Sequence, residues 1–181
     1  MYRKCVTEVS AQNQKRVENA LLNMMGTTPY GDITVTGLCR TAGISRRVFY
    51  HLFSSKADAL WAMIDHTILE SGSYAPHIRD EILRFLCYWR EQQALLDALQ
   101  ENQLTGILLE RMIACIFSED YDVRQWLAAN GWEKQRDVII FYLSGTMGLV
   151  YRWYYSGFRE TPEEMAVLLQ KILTTPLAEK I

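Results

Sequence analysis

Apolar residues recur at three- and four-residue spacings along most of the chain, the period of amphipathic helices, and no sustained alternation suggests a strand. Val17, Ala20, Leu21 and Met24 form one stripe and predict a first helix over residues 13–25. Residues 27–32 (Thr-Thr-Pro-Tyr-Gly-Asp) are rich in turn formers. Val35, Leu38, Cys39 and Ala42 form a second, short stripe. A further helix starts near Ser55 and runs through Leu60, Trp61, Ile64 and Ile68. The pattern breaks over 74–77 and returns over 78–92, 94–102 and 104–117. Residues 120–129 predict a short helix before the turn signal Asn130-Gly131, and two longer helices follow, over 132–156 and from Thr161 onward. The expectation is an all-α protein with no internal repeat or heptad array.

The stretch from Ile33 to Lys56 is the most informative. Thr34 is placed to cap a helix by accepting a backbone N–H, and Gly43 follows that helix where a left-handed residue turns the chain sharply. Ile44 fills the turn, and Ser45 is a fresh N-cap that puts Arg46 and Arg47 in the first turn of the next helix. At 100° per residue, Phe49 and Phe53 share one side, with Arg47, Val48 and His51 elsewhere on the wheel. One face packs inward and another is free to enter a major groove, which is how a helix-turn-helix presents its recognition helix.

On Ile33, Thr34, Val35, Ala42, Gly43, Ile44, Ser45, Arg46, Phe49, Tyr50, Phe53, Ser55, Lys56 and Leu60, the segment resembles the DNA-binding domain of TetR/AcrR-type transcriptional regulators. Three positions depart from that pattern: Arg47 stands in place of a glycine, Val48 of a threonine and Leu52 of a frequent histidine. The resemblance implies an N-terminal three-helix helix-turn-helix domain, here 1–56 and running into the next helix. A helical ligand-binding and dimerisation domain, 57–181, follows it. It implies a ligand-responsive regulator, a repressor in the first instance, that binds a palindromic operator as a homodimer and is released by a small-molecule inducer. The alternative is a protein of the same fold that acts through a protein partner, or binds a small molecule, without touching an operator.

Charge changes the picture. The whole chain carries −2, but residues 1–56 hold eight basic and three acidic side chains, net +5, and residues 57–181 eleven and eighteen, net −7. A basic head on an acidic body fits phosphate binding confined to one end. Within that head, Thr34 and Thr36 are candidates for phosphate contacts through hydroxyl and backbone N–H groups, and Lys56 for pairing with phosphate. Tyr50 is expected to hydrogen-bond phosphate, as the matching tyrosine does in the family. Arg46 and Arg47 are candidates for guanine O6 and N7, Val48 for a thymine methyl, and His51 for a base or phosphate.

The remaining chemistry is sparse. No apolar run approaches the 18 residues of a membrane span, and residues 1–8 lack an apolar signal core, so a cytoplasmic protein is expected. Cys5, Cys39, Cys87 and Cys115 are scattered without a C-x-x-C and read as reduced thiols. His66 and His77 have no partners at ligand spacing, so no metal and no cofactor is expected. There is no G-x-S-x-G, phosphate loop or H-E-x-x-H, and no enzyme is expected.

In the penultimate helix, Gly145 and Gly148 sit mid-helix at about 1 kcal/mol each relative to alanine, and close approach of another helix would offset that. Gly157 ends this helix. Thr161-Pro-Glu-Glu164 opens the last one with a capping box, and Met165, Leu168, Leu169 and Ile172 form its apolar face. The resemblance implies that these two helices pair with their copies across a dimer. It also places an unknown effector among the body helices. Tyr88, Trp89, Met112, Phe117, Trp126, Phe141, Tyr142, Tyr151 and Trp153 are residues that would line a cavity or serve as core. Arg90, Arg111 and Arg152 are cations that would meet an anion or solvent.

Overall fold

A computed structural model describes residues 7–71, 78–118 and 136–174. Among these there are nine α-helices and one short 3-10 turn, with no strand. The elements are α1 (Glu8–Met25), the 3-10 turn (Tyr30–Asp32), α2 (Val35–Ala42), α3 (Arg46–Leu52), α4 (Lys56–Ser71), α5 (Ile78–Glu91), α6 (Gln93–Glu101), α7 (Thr105–Ile116), α8 (Arg136–Tyr155) and α9 (Pro162–Thr174). The all-α expectation is met. The breaks and elements expected over 74–77 and 120–131, the first residues of the 132–156 helix, Cys5, His77 and Trp126 lie outside the described residues. None of the described helices is long and apolar enough to cross a membrane.

α1 begins five residues before the helix that the apolar stripe predicts. Thr7 caps it, its Oγ1 accepting the Ser10 N–H at 3.2 Å, and Glu8 lies in its first turn. Propagation from a good cap carries a helix through Glu8–Gln12, where no stripe exists to announce it.

The chain divides into two compact units. One holds residues up to 67 together with 94–111. Most of α4, all but the first residue of α6 and part of α7 belong to it. In it α1 packs on α2, and α3 touches both. Val17, Leu21, Leu38, Phe49, Phe53, Leu60, Ile64, Leu95, Leu99 and Leu108 form its core. Each such side chain withdrawn from water contributes about 1.5–3 kcal/mol. Phe49 and Phe53, one helical turn apart, meet with ring centroids 5.3 Å apart.

Ion pairs tie α4 to its neighbours in this unit. Arg111 of α7 grips Asp65 of α4 with two parallel bonds, Nε to Oδ1 at 2.7 Å and Nη2 to Oδ2 at 2.5 Å, and its guanidinium stands 5.6 Å from the Trp61 ring. His66 Nδ1 lies 2.9 Å from Oε1 of the buried Glu18 of α1. The Glu18 carboxylate pushes the His66 pKa up, against the burial that would lower it. These contacts give Arg111 and His66 roles that the sequence left open.

The second unit comprises 68–93 and 112–181. α5 lies along α9 and touches α8. Leu86, Trp89, Met147, Val150, Trp153, Met165 and Leu169 are buried in it. Gly157, at φ 72, closes α8 with the Phe158 N–H returning to the Trp153 carbonyl at 2.9 Å. The capping box of α9 forms in both directions: Glu164 N–H to Thr161 Oγ1 at 3.2 Å, and Thr161 N–H to Glu164 Oε2 at 2.8 Å. Only half of the expected apolar face of α9 turns inward. Met165 and Leu169 are buried with Ala166, whereas Leu168 and Ile172 are exposed beside Val167. The apolar arc of this helix is wider than the surface α5 covers.

Candidate nucleic-acid interface

The helix-turn-helix is built from local bonds. Thr34 Oγ1 accepts the Gly37 N–H at 3.1 Å and so starts α2. Gly43 takes φ 66 and ψ 36, and the Ile44 N–H returns to the Cys39 carbonyl at 3.0 Å. A side chain at Gly43 would be strained there, since residues with a Cβ lose about 1–2 kcal/mol in the left-handed region. Ser45 Oγ accepts the Val48 N–H at 3.2 Å and starts α3 two residues after the turn. Burial of Phe49 and Leu52 then fixes the rotation of α3, leaving Arg46, Arg47, Tyr50 and His51 exposed and Val48 half-buried.

These residues share a surface. Arg47, Val48, Tyr50, His51 and Leu52 form one wall of an open groove of about 510 Å³. The Arg46 guanidinium stands 5.8 Å from the centre of the Tyr50 ring, which is 46% exposed. The opposite wall is the first turns of α1: Val9, Ser10 and Asn13. Apolar periodicity alone starts α1 at Asn13 and so leaves Val9 and Ser10 out of view. Thr7 followed by Glu8 was the signal for the earlier start. Thr34 and Thr36 are exposed at the beginning of α2.

Lys56 is placed differently from the expectation of a phosphate contact. Its Nζ donates to the carbonyls of Tyr30, of Gly31 at 3.3 Å and of Ile33 at 2.7 Å. It also lies 4.3 Å from the centre of the Tyr30 ring. Three donors meet three carbonyls, so the ammonium is engaged by its own chain. Burial lowers its pKa, and Asp32 opposes that. The physical reason is the 3-10 turn: the Gly31 and Ile33 carbonyls have no following helix to donate N–H groups to them, and with the Tyr30 carbonyl they converge where α4 begins.

The second unit presents a different surface. Val138, Phe141, Gly145, Gly148, Arg152 and Tyr155 follow one another at spacings of three and four along α8, and all are exposed. Phe141 is 60% and Tyr155 58% exposed, and on α9 Val167 is 55% exposed. A Cβ built on Gly145 or Gly148 meets no atom within 4 Å. Nothing described in this chain makes the close approach that the glycines led one to expect. Arg152 is paired, its Nη1 2.7 Å from Glu160 Oε1, and this holds the Glu160 carboxyl below the usual range.

The aromatic residues named for a cavity divide by burial. Trp89 and Trp153 are core, with Trp153 Nε1 donating to the Glu160 carbonyl at 2.9 Å, while Phe141 is on the open stripe. Burial, then the neighbouring Tyr155, raises the Tyr151 pKa. Cys39 and Cys115 are buried thiols, and Cys87 is half-buried. Burial pushes the Cys39 thiol up, with Arg46 opposing. Among the described residues no three His, Cys, Asp or Glu side chains gather to hold a metal.

Residues 77–175 match a family model described as a transcriptional regulator C-terminal region. No curated protein matches the chain at a significant level.

Proposed function

The chain belongs to the TetR family of transcriptional regulators, and we propose that it is a ligand-responsive repressor that binds a palindromic operator as a homodimer. The observation that carries this reading is the exposure of Arg46, Arg47, Val48, Tyr50 and His51 together on α3, beside a groove walled by α1. Arg47, and Arg46 beside it, read guanine edges; Val48 meets a thymine methyl; His51 donates to a base or phosphate. Tyr50, Thr34 and Thr36 hold the sugar-phosphate backbone and set the register without reading sequence. Lys56 takes part by holding the turn that leads into α2.

A single α3 of seven residues spans few base pairs. Two copies related by a two-fold axis read two half-sites, which makes the operator palindromic. The open stripe of α8 and the exposed side of α9 support pairing through these helices. The mid-helix glycines there leave room for a partner backbone. An effector bound in the second unit releases DNA if it favours one spacing of the two heads over the other, since a ligand shifts an equilibrium only by its differential affinity.

Selection of duplexes from a random library by the purified protein tests the reading. Enrichment of a palindrome, with affinity falling by orders of magnitude between low and moderate salt, is the expected result. No enrichment by folded, dimeric protein would overturn operator binding and favour action through a protein partner.

A further inference from the structure

Asn102 lies at the corner between α6 and α7, and its amide reaches across to both ends of the connection between α1 and the 3-10 turn. Its Oδ1 accepts the Tyr30 N–H at 2.5 Å. Its Nδ2 donates to the Ala98 carbonyl at 2.7 Å, which closes its own helix, and to the Met25 carbonyl at 3.3 Å, the last residue of α1. The corner is held sharply: Gln103 sits at φ 58, and the Leu104 N–H returns to the Leu99 carbonyl at 2.7 Å.

The Tyr30 N–H is the first donor of the 3-10 turn and has no carbonyl behind it to bond. Asn102 supplies that acceptor from 72 residues away. Lys56 binds the carbonyl side of the same turn. The turn is thus gripped at its amide end by the α6–α7 corner and at its carbonyl end by α4. Thr34, the cap of α2, follows one residue after Ile33, and α2 is only eight residues long. An element so short takes its direction from where it is anchored.

We propose that Asn102 is a positioning residue for DNA binding: by fixing the Tyr30 turn it sets the pose of α2 and α3 on the duplex. This rests on the operator-binding reading above. It goes beyond it by making the α6–α7 corner, outside the helix-turn-helix, a determinant of sequence reading. A residue that merely closed its own helix needs the Ala98 bond alone; the bonds to Tyr30 and Met25 serve the neighbouring connection. A mis-set α2 still offers charge to any duplex, whereas base reading needs α3 in register, so the operator suffers more than random DNA.

The test uses the full chain, the duplex recovered by selection, and a random duplex of equal length, titrated by fluorescence anisotropy. Asn102→Ala removes all three bonds, and Asn102→Gln keeps the amide but moves it out by one methylene. The expected result is folded Asn102→Ala protein whose operator-to-random affinity ratio falls roughly tenfold, the loss of about one base contact. Asn102→Gln should fall in the same direction by less. Partial unfolding lowers the active fraction equally for both duplexes and leaves the ratio alone. An unchanged ratio in folded Asn102→Ala, or in folded Asn102→Gln if the alanine variant does not fold, overturns the proposal. Failure of the wild-type chain to enrich any duplex overturns the operator reading itself, before any variant is made.

Discussion

The Lys56 ammonium bonds the carbonyl of Tyr30 while lying 4.3 Å from the centre of the same residue's ring. One cation thereby meets both a backbone dipole and an aromatic face of a single residue, and adds the Gly31 and Ile33 carbonyls. Charge-assisted bonds of this kind contribute about 1.5–3 kcal/mol where water is partly excluded. Lys56→Met is therefore expected to lower the unfolding free energy by about 1–3 kcal/mol in a denaturant melt. It should also weaken binding to every duplex. A variant as stable as the wild type that loses only DNA affinity would return Lys56 to a direct phosphate contact.

Arg47 stands exposed on α3 in the wall of the groove. Arg47→Ala should cost about 1–3 kcal/mol per half-site and relax preference at one base position. Titration against operators mutated one base pair at a time checks this. Unchanged affinity for the selected palindrome would remove its base-reading role.

Gly145 and Gly148 face open space in the isolated chain. Leucine at either position should leave the protomer folded, since the new side chain meets nothing there. Helix propensity alone favours the change by several tenths of a kcal/mol. Sedimentation should nonetheless show the dimer weakened. A dimer of undiminished strength would mean that this stripe does not form the interface.

The pair between His66 and Glu18 makes stability depend on pH. The carboxylate raises the His66 pKa above its ordinary value in the folded chain, so folding favours the protonated imidazole. The stabilisation is complete below the ordinary histidine pKa and is lost as pH rises through the raised one. Thermal melts from acid to mildly alkaline pH should show a decline over that window, and His66→Gln should flatten it. A decline that persists in the variant would assign it to other groups.

The local architecture of the head was legible in the sequence because its bonds span three to five residues. The Thr34 and Ser45 caps and the left-handed Gly43, like the Thr161–Glu164 box in the second unit, need only neighbours in the chain. Their residue types state their roles. Lys56 and Asn102 were different. Their partners lie 23 to 26 and 72 to 77 residues away, apart from Ala98. A lysine near a helix start reads as a surface cation until a fold brings carbonyls to it. The start of α1 was hidden for another reason: Glu8–Gln12 is mostly polar, and periodicity is silent where one face is not buried.

Asp65 of α4 and Arg111 of α7 both belong to the first compact unit, each within the last turn of its helix there. Two parallel bonds fix a planar fork against a planar carboxylate, which resists twist as well as separation. Neither helix can rotate about its own axis without dragging the other. Within the first unit the pair therefore acts as a lock on the rotation of α4 against α7 as well as on the distance between them.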